Sequence, residues 1–163
     1  MGGYGIILKK NYNYKYVLAI LNSNVCYFHI SKISVLFRGN YYSYESRFIK
    51  QLIIPYALES TQNNFSFITD FLLSRNLNID FFELLVKGMV YELYFGEEMK
   101  KVGVDILALV GKDLEAVKKL SPEKAIAKLY STWQEPKNEV RNRLLLMSTR
   151  CPTTIGVIEA SVR

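Results

Sequence analysis

The chain has 163 residues, is 50% hydrophobic and carries a formal net charge of +6. That is enough for one domain, or a compact pair of subdomains, with a real core, and it excludes a disordered chain. No apolar run approaches the roughly 20 residues of a membrane span, and the N-terminus lacks the charged-then-apolar layout of a signal peptide.

Met1-Gly2-Gly3 is not followed by the Ser or Thr that a myristoylation signal carries where Ile6 stands. Two cysteines, Cys26 and Cys151, make no disulfide framework. The expected location is cytoplasmic.

The first elements in chain order are these. Gly2 to Leu8 reads as a strand with Tyr4, Ile6 and Leu8 alternating, and Lys9 to Asn13 as a polar turn. Val17, Leu18, Leu21, Val25 and Phe28 have helical spacing, which predicts one helix from about Lys15 to Ser31. Asn22 and Ser23 lie inside it as weak helix formers, and Asn22 is expected to face solvent or to bond a neighbouring loop. Ile33 to Phe37 is β-branched and reads as extended, and Arg38-Gly39-Asn40 is a turn signal. Tyr41, Tyr42 and Tyr44 then form a short strand or loop. Phe48 to Ile54 reads as a buried strand stopped by Pro55.

Beyond Tyr56 the pattern is helical. Phe65, Ile68, Phe71 and Leu72 predict a helix over 60–75, broken at 76–78. Asp80 and Glu83 have capping-box spacing before a helix over about 81–95 that buries Phe82, Leu85, Met89, Val90 and Leu93. Gly96 and Gly103 bracket a turn, and a segment from Ile106 ends at Gly111. Ser121-Pro122-Glu123 starts a helix carrying Ile126, Leu129, Tyr130 and Trp133. Asn138 caps a helix running to Leu146 or Met147, and Thr153 to Ile158 reads as a closing strand or arm. The expected class is α+β. A small sheet with a packed helix fills the first third, and the C-terminal half is mostly helical. Residues 1–56 and 57–163 are expected to pack as one compact unit.

The charge is uneven along this layout. Up to Tyr56 the bases are Lys9, Lys10, Lys15, Lys32, Arg38, Arg47 and Lys50, against Glu45 alone. The chain has 21 bases and 15 acids, so what remains is balanced at 14 of each. The same segment holds nine of the 12 tyrosines. Bases interleaved with aromatic and amide groups suit contacts to phosphates and nucleobases. On composition alone, a solvated basic face on an ordinary domain is the simpler reading.

Specific stretches carry more. Leu21-Asn22-Ser23, Arg38-Gly39-Asn40-Tyr41-Tyr42 and Phe48-Ile49-Lys50-Gln51-Leu52-Ile53-Ile54-Pro55 occur in order. Leu85-Val86-Lys87-Gly88-Met89-Val90-Tyr91-Glu92-Leu93-Tyr94-Phe95 follows. Over most of residues 4–105 the chain resembles the C-terminal specificity, or target-recognition, region of TaqI-like adenine-specific DNA methyltransferases and type II restriction-modification enzymes. From about residue 106 the likeness is faint. The resemblance implies sequence-specific recognition of double-stranded DNA, with residues 1–56 as the recognition portion. It also implies a methyltransferase catalytic domain, in cis or as a separate subunit, that uses S-adenosylmethionine. Arg38, Asn40, Tyr42 and Ser43 become candidates for base edges, since Arg pairs bidentately with guanine and Asn with adenine. Lys9, Lys10, Lys15, Lys32, Arg47 and Lys50 become candidates for phosphates.

The catalytic motifs of that class are missing from this chain. It has no Pro-Pro pair for an Asn/Asp-Pro-Pro-aromatic motif and no Gly-containing cofactor loop. No methyl transfer and no cofactor are therefore expected on this chain alone. Met1 directly before a mid-domain strand favours a truncated or excised piece, and a separate subunit is the other option. Glu98-x-Lys100 with Asp80 upstream matches half of a nuclease motif, but the surroundings read as helix and a solvated face. Cys26 and His29 share a helix face, yet two ligands make no zinc site, and a core cysteine beside a lone histidine is the plainer reading. One histidine supports no Ser-His-Asp set. The competing function is a protein-interaction module without DNA contact, docking through the Leu-rich helix and the 81–95 helix.

Overall fold

The computed structural model describes residues 5–36, 39, 41–74 and 78–162. Helices account for 68% of the described residues. They are α1 (Tyr14–Leu21), α2 (Asn24–Ile33), α3 (Ser46–Ile49), α4 (Glu59–Leu73), α5 (Ile79–Lys101), α6 (Leu107–Val117), α7 (Pro122–Gln134), α8 (Glu139–Arg150) and α9 (Ile155–Ser161). One isolated antiparallel bridge, Leu36 to Tyr42, is the only ladder pairing among the described residues. The expected α+β class with a small sheet is therefore wrong, and the fold is all-helical.

Each failed strand has a local reason. Phe48 to Ile54 opens with the helical turn α3, which drops Phe48 into a small core with Cys26 and Ile30. From Leu52 the chain runs as an unpaired strap. Its carbonyls are met by side chains in place of a ladder: the hydroxyls of Tyr94, Tyr12 and Tyr16 donate to the oxygens of Ile53 (2.6 Å), Ile54 (3.5 Å) and Pro55 (2.8 Å). Of the first predicted strand, Gly2 to Leu8, residues 2–4 lie outside the described residues and residues 5–8 have no ladder partner. Ile33 closes α2, and among the described residues of the Ile33–Phe37 segment only Leu36 is in a bridge, Phe37 lying outside them. Thr153 to Ile158 turns directly into α9, and Ile155 and Ile158 bury on helical spacing.

The helix boundaries also move. The single helix expected over 15–31 is two, because Ser23 stops being an interior residue and becomes an N-cap. Its hydroxyl donates to the Ile20 carbonyl at 2.7 Å and accepts the Cys26 amide at 3.3 Å, the N-cap bond that a continuous helix would not offer. Asn22 is exposed, as expected, with its amide on the Leu18 carbonyl. The 81–95 helix runs from Ile79 to Lys101, kinking at Phe95 and passing through Gly96 without ending. It begins after Asn78 in the left-handed region (φ 68°), which Asn tolerates. The segment from Ile106 continues through Gly111 as α6, and α8 runs on to Arg150 from the expected Asn138 cap.

α5 is the central element, packed by α1, α2, α4 and α8. Phe82, Leu85, Met89 and Val90 are buried from both sides of it. Tyr16 and Ile20 of α1, Phe65 and Ile68 of α4, and Trp133 of α7 belong to the same continuous core. Gly88 lets α8 approach closely: a Cβ there would lie 2.4 Å from the Leu144 side chain. Farther along α5, the buried Glu92 caps a different helix. Its carboxylate accepts the amides of Ile106 (2.5 Å) and Leu107 (2.7 Å), which are orphan donors at the start of α6. Among the described residues no helix is long and apolar enough to cross a membrane.

Burial raises the Glu92 pKa above the usual carboxylate range, an effect opposed by the two amides it accepts. A raised carboxyl pKa favours the folded state below the unfolded-state pKa, and that contribution is lost as pH climbs through the folded value. Glu92→Gln keeps an acceptor oxygen without the charge, so the stability difference between wild type and this variant should shift against wild type as pH rises through that window. Glu92→Ala strands two amides and should cost about 1–3 kcal/mol. Urea unfolding of the three proteins between mildly acidic and neutral pH checks both outcomes.

Candidate nucleic-acid interface

The segment between α2 and α3 stands on the small core of Cys26, Ile30 and Phe48, joined by Ile33, Tyr42 and Leu52. Its two ends are paired antiparallel through the Leu36–Tyr42 bridge. The Ser34 hydroxyl donates to the Ser43 carbonyl (2.6 Å), and the Ser43 amide donates to the Val35 carbonyl (3.1 Å). At its tip Gly39 has φ 95°, a left-handed conformation that a side chain would strain. Arg38 and Asn40 lie outside the described residues.

The other candidates fall into two groups. Tyr42 is half-buried, its ring edge-on to Tyr27 at 5.6 Å. Ser43 is 2% exposed, and its hydroxyl donates to Glu45 Oε1 at 3.0 Å. Lys32 lies in the last turn of α2 with its ammonium 4.9 Å from the centre of the Phe28 ring. Arg47 stacks over Phe48 at 4.6 Å and pairs with Glu45 at 3.0 Å, both partners in contact with solvent. Lys50 is exposed at the end of α3. These five residues share the α2–α3 corner. Lys9, Lys10 and Lys15 belong elsewhere. Lys9 and Lys10 are exposed in the turn before α1, whose Tyr12 holds the strap. The Lys15 ammonium is bonded to Asp70 of α4, which raises its pKa.

Two tyrosines of this corner were not among the candidate contact residues. Tyr41 is 76% exposed and Tyr44 45%, while Tyr42 and Ser43 between them turn inward. The run of tyrosines pointed to an aromatic surface, but spacing alone does not say which ring faces water.

Other groups resolve more simply. Asp80 and Glu98 are 18 residues apart on the same helix, about 27 Å along its axis at 1.5 Å per residue. Glu98 accepts the Thr154 hydroxyl at 2.9 Å. The half nuclease motif therefore does not converge. Cys26 is buried, and burial pushes its thiol up to about 11; Cys151 is raised as well, by burial first and then by Glu98. Neither is a thiolate at neutral pH. Among the described residues no three His, Cys, Asp or Glu side chains cluster as a metal site would require. An open groove of about 780 Å³ runs between α1, α4 and α5, with Leu18, Leu72 and Leu84 in its walls and Asn22 and Lys87 among its polar residues. Beside it, Glu159 of α9 accepts from Tyr91 of α5, Lys87 (3.1 Å) and Asn24 of α2 (3.4 Å).

Comparison with protein-family models, with curated proteins and with solved structures finds no match to this chain.

The loop's geometry rests on few bonds, so each should be measurable. Ser34→Ala removes the hydroxyl that holds the Ser43 carbonyl and should cost about 0.5–1.5 kcal/mol. The loss should be local: amide exchange at Ser43 should speed up while exchange in α5 stays as in the wild type.

Proposed function

We propose that this chain recognises double-stranded DNA in a sequence-specific way, as the target-recognition region of an adenine-specific DNA methyltransferase or restriction-modification enzyme. The observation that carries the reading is the α2–α3 corner. There the segment between α2 and α3 holds a left-handed glycine and two exposed tyrosines, Tyr41 and Tyr44, at the same corner as Lys32, Arg47 and Lys50. Glu45 is the only acid up to Tyr56, and it is occupied by Arg47 and Ser43. A basic surface with exposed aromatic groups has the parts needed for phosphate positioning and for contact inside a groove. The likeness of the motif residues to TaqI-like specificity regions supplies the class. The catalytic partner would bring S-adenosylmethionine and handle the target base.

A second reading is favoured by a different surface. Ile7 is 98% exposed, Ile53 74% and Leu58 70%. Such residues suit a protein interface, and the interaction-module alternative would use them. They are also where a methyltransferase domain would dock under the first reading.

The two readings separate by salt dependence and by single substitutions. On the DNA reading, Lys32→Ala and Lys50→Ala weaken binding to all sequences about equally, and each lowers the salt slope by roughly 1. Arg38→Ala behaves differently, costing roughly 1–3 kcal/mol on the preferred site and relaxing choice at one base pair. Fluorescence anisotropy with labelled duplexes across a salt series, with the methyltransferase domain supplied, reads these effects. Unchanged affinity and site choice in all three variants would remove the DNA reading and favour the protein-interaction one.

A further inference from the structure

Three helices each give a stripe of residues to the open groove of about 780 Å³. On α5 the stripe is Asp80, Glu83, Leu84 and Lys87, at i, i+3, i+4 and i+7. It is one face of that helix over two turns, about 10 Å long at 1.5 Å per residue. On α4 it is Thr69, Leu72 and Leu73, and α1 with its C-cap adds Leu18 and Asn22. Leu73 is 58% exposed, and Leu18, Leu72 and Leu84 are half-buried. Apolar stripes at helical spacing, left uncovered among the described residues, form the kind of bed into which a further helix packs.

The groove is acidic, in a chain whose net charge is +6. Asp80 and Glu83 are exposed, and their carboxylates have no ion pair or hydrogen bond among the described residues. Lys87, the cation of the lining, is bonded to Glu159 at 3.1 Å. A separate mark lies in the wall. Thr69 is 5% exposed, and its hydroxyl has no hydrogen-bond partner. An unpaired buried hydroxyl is costly, and a polar atom brought by a guest at this wall removes the cost.

We infer that this groove is the docking site for a basic amphipathic helix of a protein partner. The apolar face of that helix lies on Leu18, Leu72, Leu73 and Leu84. Its Lys or Arg side chains meet Asp80 and Glu83, and one polar side chain reaches Thr69. Beyond Leu84 and Lys87 a hollow of about 180 Å³ continues to α8, where Leu145 is 57% exposed, so the guest has room to run past two turns. This face uses none of the residues assigned to DNA contact and stands apart from that reading.

The test presents the full chain with a library of helical peptides of about 14 residues. Apolar residues are fixed at i, i+3, i+4 and i+7, and the other positions are drawn from Lys, Arg, Asp, Glu, Ser and Gln. Peptides retained at physiological salt should be enriched in Lys and Arg over Asp and Glu. By fluorescence anisotropy they should bind the double variant Asp80→Asn/Glu83→Gln on the order of 5-fold more weakly than wild type. Leu73→Ser should weaken them on the order of 10-fold. These three positions are exposed, so both proteins should keep the wild-type melting temperature. Thr69→Val keeps the shape of the side chain and removes the hydroxyl. It should weaken peptide binding severalfold without lowering the melting temperature, a pairing that a purely structural threonine does not give. Lys32→Ala and Lys50→Ala should leave peptide binding unchanged.

Retention of no peptide, enrichment in Asp and Glu, or unchanged affinity in either the charge variant or Leu73→Ser overturns the docking site. The DNA reading is decided separately, by the effect of Lys32→Ala and Lys50→Ala on duplex binding.

Discussion

Everything in this fold leans on the burial of α5. Phe82, Leu85, Met89, Val90 and Tyr91 are almost fully removed from water, and α1, α2, α4 and α8 surround the helix. A helix covered this way cannot have a polar face of the usual width. Several of its inward-facing residues do more than pack. Gly88 sets the closest approach to α8, Glu92 caps α6, and Tyr91 meets the Glu159 carboxylate. Burying a carboxylate is costly unless it is hydrogen-bonded, and both glutamates accept from groups on other helices. The Glu159 cluster therefore also fixes a geometry. Through Asn24 it ties the start of α2 to α5 and α9.

That tie matters for the candidate interface. The loop over residues 34–43 has no sheet behind it. Its base is the small core of Cys26, Ile30 and Phe48, its shape comes from a pair of serine bonds, and its orientation comes from α2. α2 is held in turn by contacts to α1, α5 and α9. A rigid helical body carrying one short exposed loop is a common way to separate stability from contact: the core sets where the loop is, and the exposed side chains are free to differ.

The strap over 52–58 shows how an apolar, β-branched stretch can end up outside a sheet. Its sequence suits a strand, but a strand needs a neighbour with free backbone groups. Here tyrosines from α1, α5 and the preceding turn reach its carbonyls first. The phenols of Tyr16 and Tyr94 are partly buried and their pKa values are raised chiefly by desolvation, that of Tyr94 to about 12. They remain neutral donors at neutral pH, which a carbonyl acceptor requires.

Local chemistry alone determined much of this protein. The helix start at Ser121-Pro122-Glu123, the Asn138 cap and the periodic core of α4, α5 and α7 follow from propensity, capping and spacing over a few residues, and all were readable. The uneven charge and the tyrosine-rich first third were readable as well. Three features were settled only by tertiary structure. Whether residues 48–54 pair as a strand depends on what lies beside them, and tyrosine hydroxyls distant in sequence decided against it. Whether Ser23 sits inside a helix or caps one depends on how α1 and α2 must turn to pack on α5. Which of Tyr41, Tyr42 and Ser43 faces water depends on Tyr27, Ser34 and Glu45, whose positions are fixed by the folded corner and not by the pattern of the residues themselves.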